Sequence, residues 1–154
     1  MQVKRISMEE LGPLLERQLC GGRARLPVTG SSMLPMLRGG RDVVELVSLS
    51  APPKRGEVVL YRRADGTYVL HRVIARRDET TCLCCGDNQW MREPVPDANM
   101  IARVDGFIRR GRRIGVDAPG YRIYQTLWTA MMPLRRPILA VRRVLGFVKR
   151  RWRR

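Results

Sequence analysis

Apolar positions divide the chain into three stretches of different texture. In the first, Leu11, Leu14, Leu15 and Leu19 recur at helical spacing, which predicts a short helix over residues 8–19. Ser7-Met8-Glu9-Glu10 has the form of a capping box, with the serine oxygen accepting an amide proton three residues on and Glu10 reaching back. Gly21-Gly22 ends the helix. From Arg25 to Ile108 the pattern changes to short β-type runs at 43–47, 57–61, 68–74, 81–84 and 101–107. Breakers separate them: Arg38-Gly39-Gly40, Ala51-Pro52-Pro53, Ala64-Asp65-Gly66 and Pro94-Val95-Pro96. Asp65-Gly66 between two such runs is a hairpin signal. Many short strands with frequent turns predict a mainly β, antiparallel domain, barrel-like or coiled.

After Gly111 helical spacing returns. One helix is expected over 121–132, Pro133-Leu134-Arg135-Arg136-Pro137 interrupts it, and a second is expected over 138–154. In the latter Val141, Val144, Leu145, Val148 and Trp152 fall on one stripe, with Arg142, Arg143, Lys149, Arg150, Arg153 and Arg154 mainly elsewhere. The expected organisation is an N-terminal helix (1–22), a β domain (23–115) and a basic amphipathic helical tail (116–154).

Charge sharpens the picture of the tail. The 154 residues include 30 Lys and Arg against 14 Asp and Glu, a formal net charge of +16, and beyond residue 108 Asp117 is the only acid. Such an excess points to an anionic partner. A basic amphipathic helix suits an anionic membrane surface, its apolar stripe at the interface and its arginines favouring the cytoplasmic leaflet. Trp128, Met131 and Trp152 can instead pack against the β domain. No strand aromatics of an RNA-binding sheet are present, which disfavours nucleic acid. The N-terminal segment has no apolar run of signal-peptide or membrane-spanning length, so a cytoplasmic or peripherally membrane-bound protein is expected. Cys20, Cys82, Cys84 and Cys85 fit neither zinc-ligand spacing nor a secreted disulfide framework; Cys82 and Cys84 are expected to share a strand face as core-filling thiols.

Candidate chemistry lies in three places. Thr29-Gly30-Ser31-Ser32-Met33-Leu34-Pro35 presents a serine after a glycine that lets the backbone approach a substrate, although a Gly-Ser-Ser loop by itself is equally a turn. His71, the single histidine, sits in a strand-like run and is the natural base near neutral pH. An acid near its second ring nitrogen would fix its tautomer, and Asp87 and Glu93 are both candidates; Asp87-Asn88 also reads as a turn.

Ser-Met-Leu-Pro at 32–35, Gly-Glu-Val-Val at 56–59, His-Arg-Val-Ile at 71–74 and Gly-Asp-Asn at 86–88 resemble, in this order, the boxes of signal peptidase I-like serine peptidases of the S24/S26 group. The resemblance covers residues 27–107 and is to the histidine branch, similar to endoplasmic-reticulum, archaeal and sporulation-type signal peptidases. It implies a signal-peptidase-like β fold and an endopeptidase that cleaves a signal or leader peptide after small residues. Ser32 would attack, His71 would take its proton, and the Ser32 amide would contribute to the oxyanion hole. No metal or organic cofactor is implied. That branch has an aspartate a few residues beyond Gly-Asp-Asn; this chain has Glu93 in that region, leaving Glu93 and Asp87 as alternatives. Family members usually carry a transmembrane helix before the serine, where this chain has a polar one. Two rival functions remain: a self-cleaving regulator similar to SOS repressors, and a non-catalytic peptidase-fold module that binds membrane or nucleic acid through its tail.

Overall fold

A computed structural model of the protein describes the backbone of residues 8–141 and the side chains of 12–141. The capping box at Ser7 and the part of the expected basic amphipathic helix beyond residue 141, with its apolar stripe from Val144 to Trp152, lie outside the described residues. Helix α1 (Met8–Cys20) forms where the leucine spacing predicts it and buries Leu15 and Leu19, while Leu14 faces solvent. The Tyr68 ring lies across Gly12 of this helix, in space that any β-carbon there would occupy.

The strands are β1 (Arg23–Pro27), β2 (Asp42–Ser48), β3 (Val58–Arg62), β4 (Tyr68–Arg76), β5 (Thr81–Cys85), β6 (Glu93–Pro96), β7 (Met100–Arg109) and β8 (Arg112–Gly115). They form one 8-stranded sheet in the order β1-β2-β7-β3-β4-β5-β6, with β8 added to β7 and all pairs antiparallel. The mainly β, antiparallel expectation is met. The sheet does not close, so β1 and β6 remain edges.

Three strands fall outside the expected runs. Pro94-Val95-Pro96, read as a breaker, belongs to β6: Val95 is buried, the two prolines are exposed, and an edge strand accepts proline because its outward N–H has no ladder partner. Strand β1 begins two residues before the β texture was expected, and β8 is a short return on β7.

Strand β3 explains the continuous apolar run Val58-Val59-Leu60-Tyr61. Successive side chains point to opposite faces, and both faces are covered. Val58 and Leu60 join a core with Leu15, Leu19, Leu26, Val44, Leu46, Val104, Phe107 and Tyr121. Val59 and Tyr61 join a second core with Val73, Cys82, Cys84, Val95 and Met100. Cys82 and Cys84 thus share one buried face of β5. Burial pushes the Cys84 thiol up to about 12 and that of Cys85 to about 11, so both stay protonated at neutral pH.

The C-terminal part packs onto this sheet. Helix α2 (Pro119–Ala130) starts two residues earlier than expected, with Pro119 in its first turn, and Tyr121 enters the first core. A 3₁₀ turn, Met132–Leu134, follows, and the chain is helical again at 135–141 (α3). The interruption is therefore shorter than the 133–137 expected. Pro137 lies in the first turn of α3, where amides lack helical partners in any case.

Candidate active site

Ser32 lies in the loop between β1 and β2. Hydrogen bonds from Val28 N to Asp42 O (2.9 Å) and from Gly40 N to Val28 O (3.1 Å) close this loop at its base. Met33 and Leu37 are buried beneath it, joined by a bond from Leu37 N to Met33 O. Gly39 lies against the backbone of Gly30, where a β-carbon would stand 2.5 Å from the Gly30 carbonyl oxygen. Two buried apolar anchors and this close backbone crossing hold the Ser32 segment in place, while Ser32 itself stays partly open to solvent.

His71 is paired with Val59 across β4 and β3 and is only 4% exposed. Ser32 and His71 line the same cleft of about 250 Å³, whose apolar walls include Leu26, Val28, Met33, Leu60 and Leu70. The Gly86-Asp87-Asn88 loop joins them. Asn88 N donates to the Ser32 carbonyl (2.8 Å), and a β-carbon at Gly86 would lie 2.6 Å from that carbonyl oxygen and 3.1 Å from His71 Nε2. Position 86 must be glycine for the serine loop and the imidazole to come this close. The Ser32 and His71 side chains are not hydrogen-bonded to one another; catalytic hydrogen bonds commonly tighten only around substrate.

The other ring nitrogen faces away from Gly86. His71 Nδ1 lies 3.0 Å from the Tyr61 hydroxyl and 3.5 Å from Glu93 Oε1. A carboxylate only accepts and the Tyr61 hydroxyl can accept, so the Nδ1-protonated tautomer donates to Tyr61, suits the nearby Glu93 charge and leaves the Nε2 lone pair facing Gly86 and the serine loop. Arg63 grips Glu93 with Nε 3.0 Å from Oε2 and Nη2 3.0 Å from Oε1, the oxygen nearest His71. Burial, and then the nearby Arg63 cation, lower the His71 pKa to about 4, with Asp87 acting the other way. Burial raises the Glu93 carboxyl above its ordinary value.

Asp87 has a different setting. Alternation on β4 sends Arg72 to the face opposite His71, where its guanidinium meets Asp87 in a two-pronged pair of 2.8 and 2.7 Å, both side chains fully buried. Arg72 also donates to the Gly56 carbonyl (2.7 Å), and Tyr124 of α2 donates to Asp87 Oδ2 (3.0 Å). The structure therefore brings together Ser32, His71 and Glu93, whereas Asp87 is engaged by Arg72 and braces the loop.

Sequence reasoning missed three contributors, Tyr61, Arg63 and Arg135, and anticipated Trp128 only as a residue packed against the β domain. Tyr61 ends an apolar run, and only the β3/β4 register reveals that its hydroxyl meets His71. Arg63 reads as a surface cation near a turn. Trp128 Nε1 donates to the Asp87 carbonyl (3.1 Å), and Arg135 donates to the Gly86 carbonyl (3.2 Å) and to the Trp128 carbonyl (2.9 Å). Arg135, assigned to a basic tail, is fully buried beneath the Gly86-Asp87-Asn88 loop, with its guanidinium over the Trp128 ring.

No helix among the described residues is long and apolar enough to cross a membrane. Comparison with family models, with curated proteins and with solved structures finds no match for the chain.

Proposed function

We propose that the protein is a serine endopeptidase of the signal peptidase I-like class, with Ser32 as nucleophile, His71 as general base and Glu93 as the acid that orients it. The observation that carries this reading is the convergence at Gly86: the Ser32 carbonyl and His71 Nε2 both lie against one glycine, and Ser32 and His71 line one apolar cleft.

In this reading a peptide enters the cleft and water leaves it. His71 Nε2 accepts the Ser32 hydroxyl proton as Oγ attacks the scissile carbonyl carbon. The Ser32 amide, which donates to no backbone carbonyl among the described residues, stabilises the oxyanion. The imidazolium, its Nδ1–H held by the Tyr61 hydroxyl beside the Glu93 carboxylate, then protonates the leaving amine from Nε2. Water, activated by the same nitrogen, releases the acyl group from Ser32. The reading extends to the fold, taken as a signal-peptidase-like β domain, and to the substrate, a signal or leader peptide with a small residue before the cut.

The test is to incubate the purified full chain with a mixture of preprotein-derived peptides and map the new termini by mass spectrometry. New termini should follow small residues and be absent with Ser32→Ala and with His71→Ala. Identical cleavage products from Ser32→Ala would contradict the mechanism.

A further inference from the structure

Helix α2 is amphipathic in an unusual sense. The face turned to the sheet carries Tyr121, Tyr124, Trp128 and Thr129, three of them aromatic with polar tips, and hydrogen bonds from Tyr124 and Trp128 to Asp87 pin it there. The opposite face presents Ile123 and Leu127, one helical turn apart and 61% and 58% exposed. The exposed apolar positions continue along the chain with Leu134 (58%) and Val141 (57%). Arginines accompany them: Arg122 and Arg136 are exposed, and no carboxylate occurs anywhere after Asp117. Large aliphatic side chains in water cost free energy, and a surface exposing several of them beside unneutralised arginines is complementary to one that is apolar within and anionic at its boundary.

We infer that the outer face of the α2–α3 segment is a docking surface for an anionic lipid bilayer. Ile123, Leu127, Leu134 and Val141 enter the boundary between headgroups and acyl chains, and Arg122 and Arg136 pair with lipid phosphates. The sequence after residue 141 adds further Lys and Arg and no acidic side chain, which raises the net positive charge available to an anionic surface. A nucleic acid would use the arginines but leave the aliphatic row exposed. The surface is distinct from the Ser32–His71 cleft and does not depend on the peptidase reading.

The experiment is density-gradient flotation of the full chain with phosphatidylglycerol–phosphatidylcholine vesicles, with phosphatidylcholine vesicles alone as control. The protein should float with the anionic vesicles, remain behind with the neutral ones and be released by high salt. The double substitution Ile123→Ser/Leu127→Ser, at solvent-exposed positions, should keep the parent melting temperature and lower the partition coefficient by about tenfold or more. Leu134→Ser/Val141→Ser should weaken binding in the same direction. Failure to float with anionic vesicles, or unchanged flotation of both double variants, would overturn the inference. So would an oligonucleotide that binds the protein in preference to the anionic vesicles.

Discussion

Tyr61 places its hydroxyl 3.0 Å from Nδ1 of His71, one strand away, with both side chains buried. With Glu93 at 3.5 Å from the same nitrogen, the imidazole has two neighbours that fix its ring orientation and leave Nε2 for the serine. Tyr61→Phe removes one hydrogen bond of about 1 kcal/mol and should lower kcat about fivefold with little change in KM. In the proposed mechanism Glu93→Gln removes the carboxylate that lies beside Nδ1 and would orient the imidazole. Because this carboxyl is half-buried and at long range, the expected loss in kcat is about one to two orders of magnitude, measured by steady-state cleavage of a verified peptide.

The pH dependence follows from His71. Its pKa of about 4 keeps it neutral across the range where an ordinary histidine, near 6.5, would be half protonated. The acidic limb of kcat/KM should therefore fall well below 6.5, and activity should persist at pH 5.5. Arg63 contributes to the depression, so Arg63→Gln should shift that limb upward, back toward 6.5. His71 is the single histidine of the chain, so its ring resonance can be followed by NMR without ambiguity. The same shift affects stability: a folded-state pKa below the unfolded one means the unfolded chain binds more protons between 6.5 and 4. Stability is fully present above 6.5 and lost as pH falls to about 4, by on the order of 3 kcal/mol, read by denaturant titration at several pH values.

Asp87 and Glu93, equivalent in the sequence, should separate by experiment. Asp87→Asn leaves the Arg72 guanidinium buried without its counter-charge and should cost about 3–5 kcal/mol of stability. Its effect on kcat per folded molecule should be smaller than that of Glu93→Gln. Thermal melts alongside active-site titration distinguish the two classes of damage.

Gly86→Ala tests the convergence directly. The added methyl would stand 2.6 Å from the Ser32 carbonyl and 3.1 Å from His71 Nε2, and a backbone carbonyl cannot swing aside as a side-chain tip can. Displacing either partner by about 1 Å should cost on the order of a hundredfold in kcat/KM. Comparable turnover by Gly86→Ala and the parent would show that the serine loop and the imidazole are not held together there.

Much of the β architecture was legible because its strands alternate or run apolar between Gly, Asp and Pro breakers, as in 43–47 and 68–74. Strand β6 was not, because Pro94 and Pro96 look like breakers unless the strand is known to be an edge. The serine and the histidine stood out by chemistry and by resemblance. Their supporting residues did not: whether Tyr61 touches His71 is a matter of register, and whether Arg72 takes Asp87 is a matter of which face of β4 it occupies. Arg135 was the least readable. Followed by Arg136 and Pro137 it has the look of solvated charge, and its burial depends on the Gly86 and Trp128 carbonyls, which folding brings against it. Local composition carries no record of such backbone acceptors.

Covalent labelling tests the central claim most directly. The full chain is treated with a fluorophosphonate or β-lactam electrophile, and the adduct is located by intact and peptide mass spectrometry. The Ser32–His71 assignment predicts a single adduct on Ser32, absent in Ser32→Ala and slowed by about three orders of magnitude in His71→Ala. An adduct on another residue, or labelling of Ser32 at an undiminished rate without His71, would contradict it.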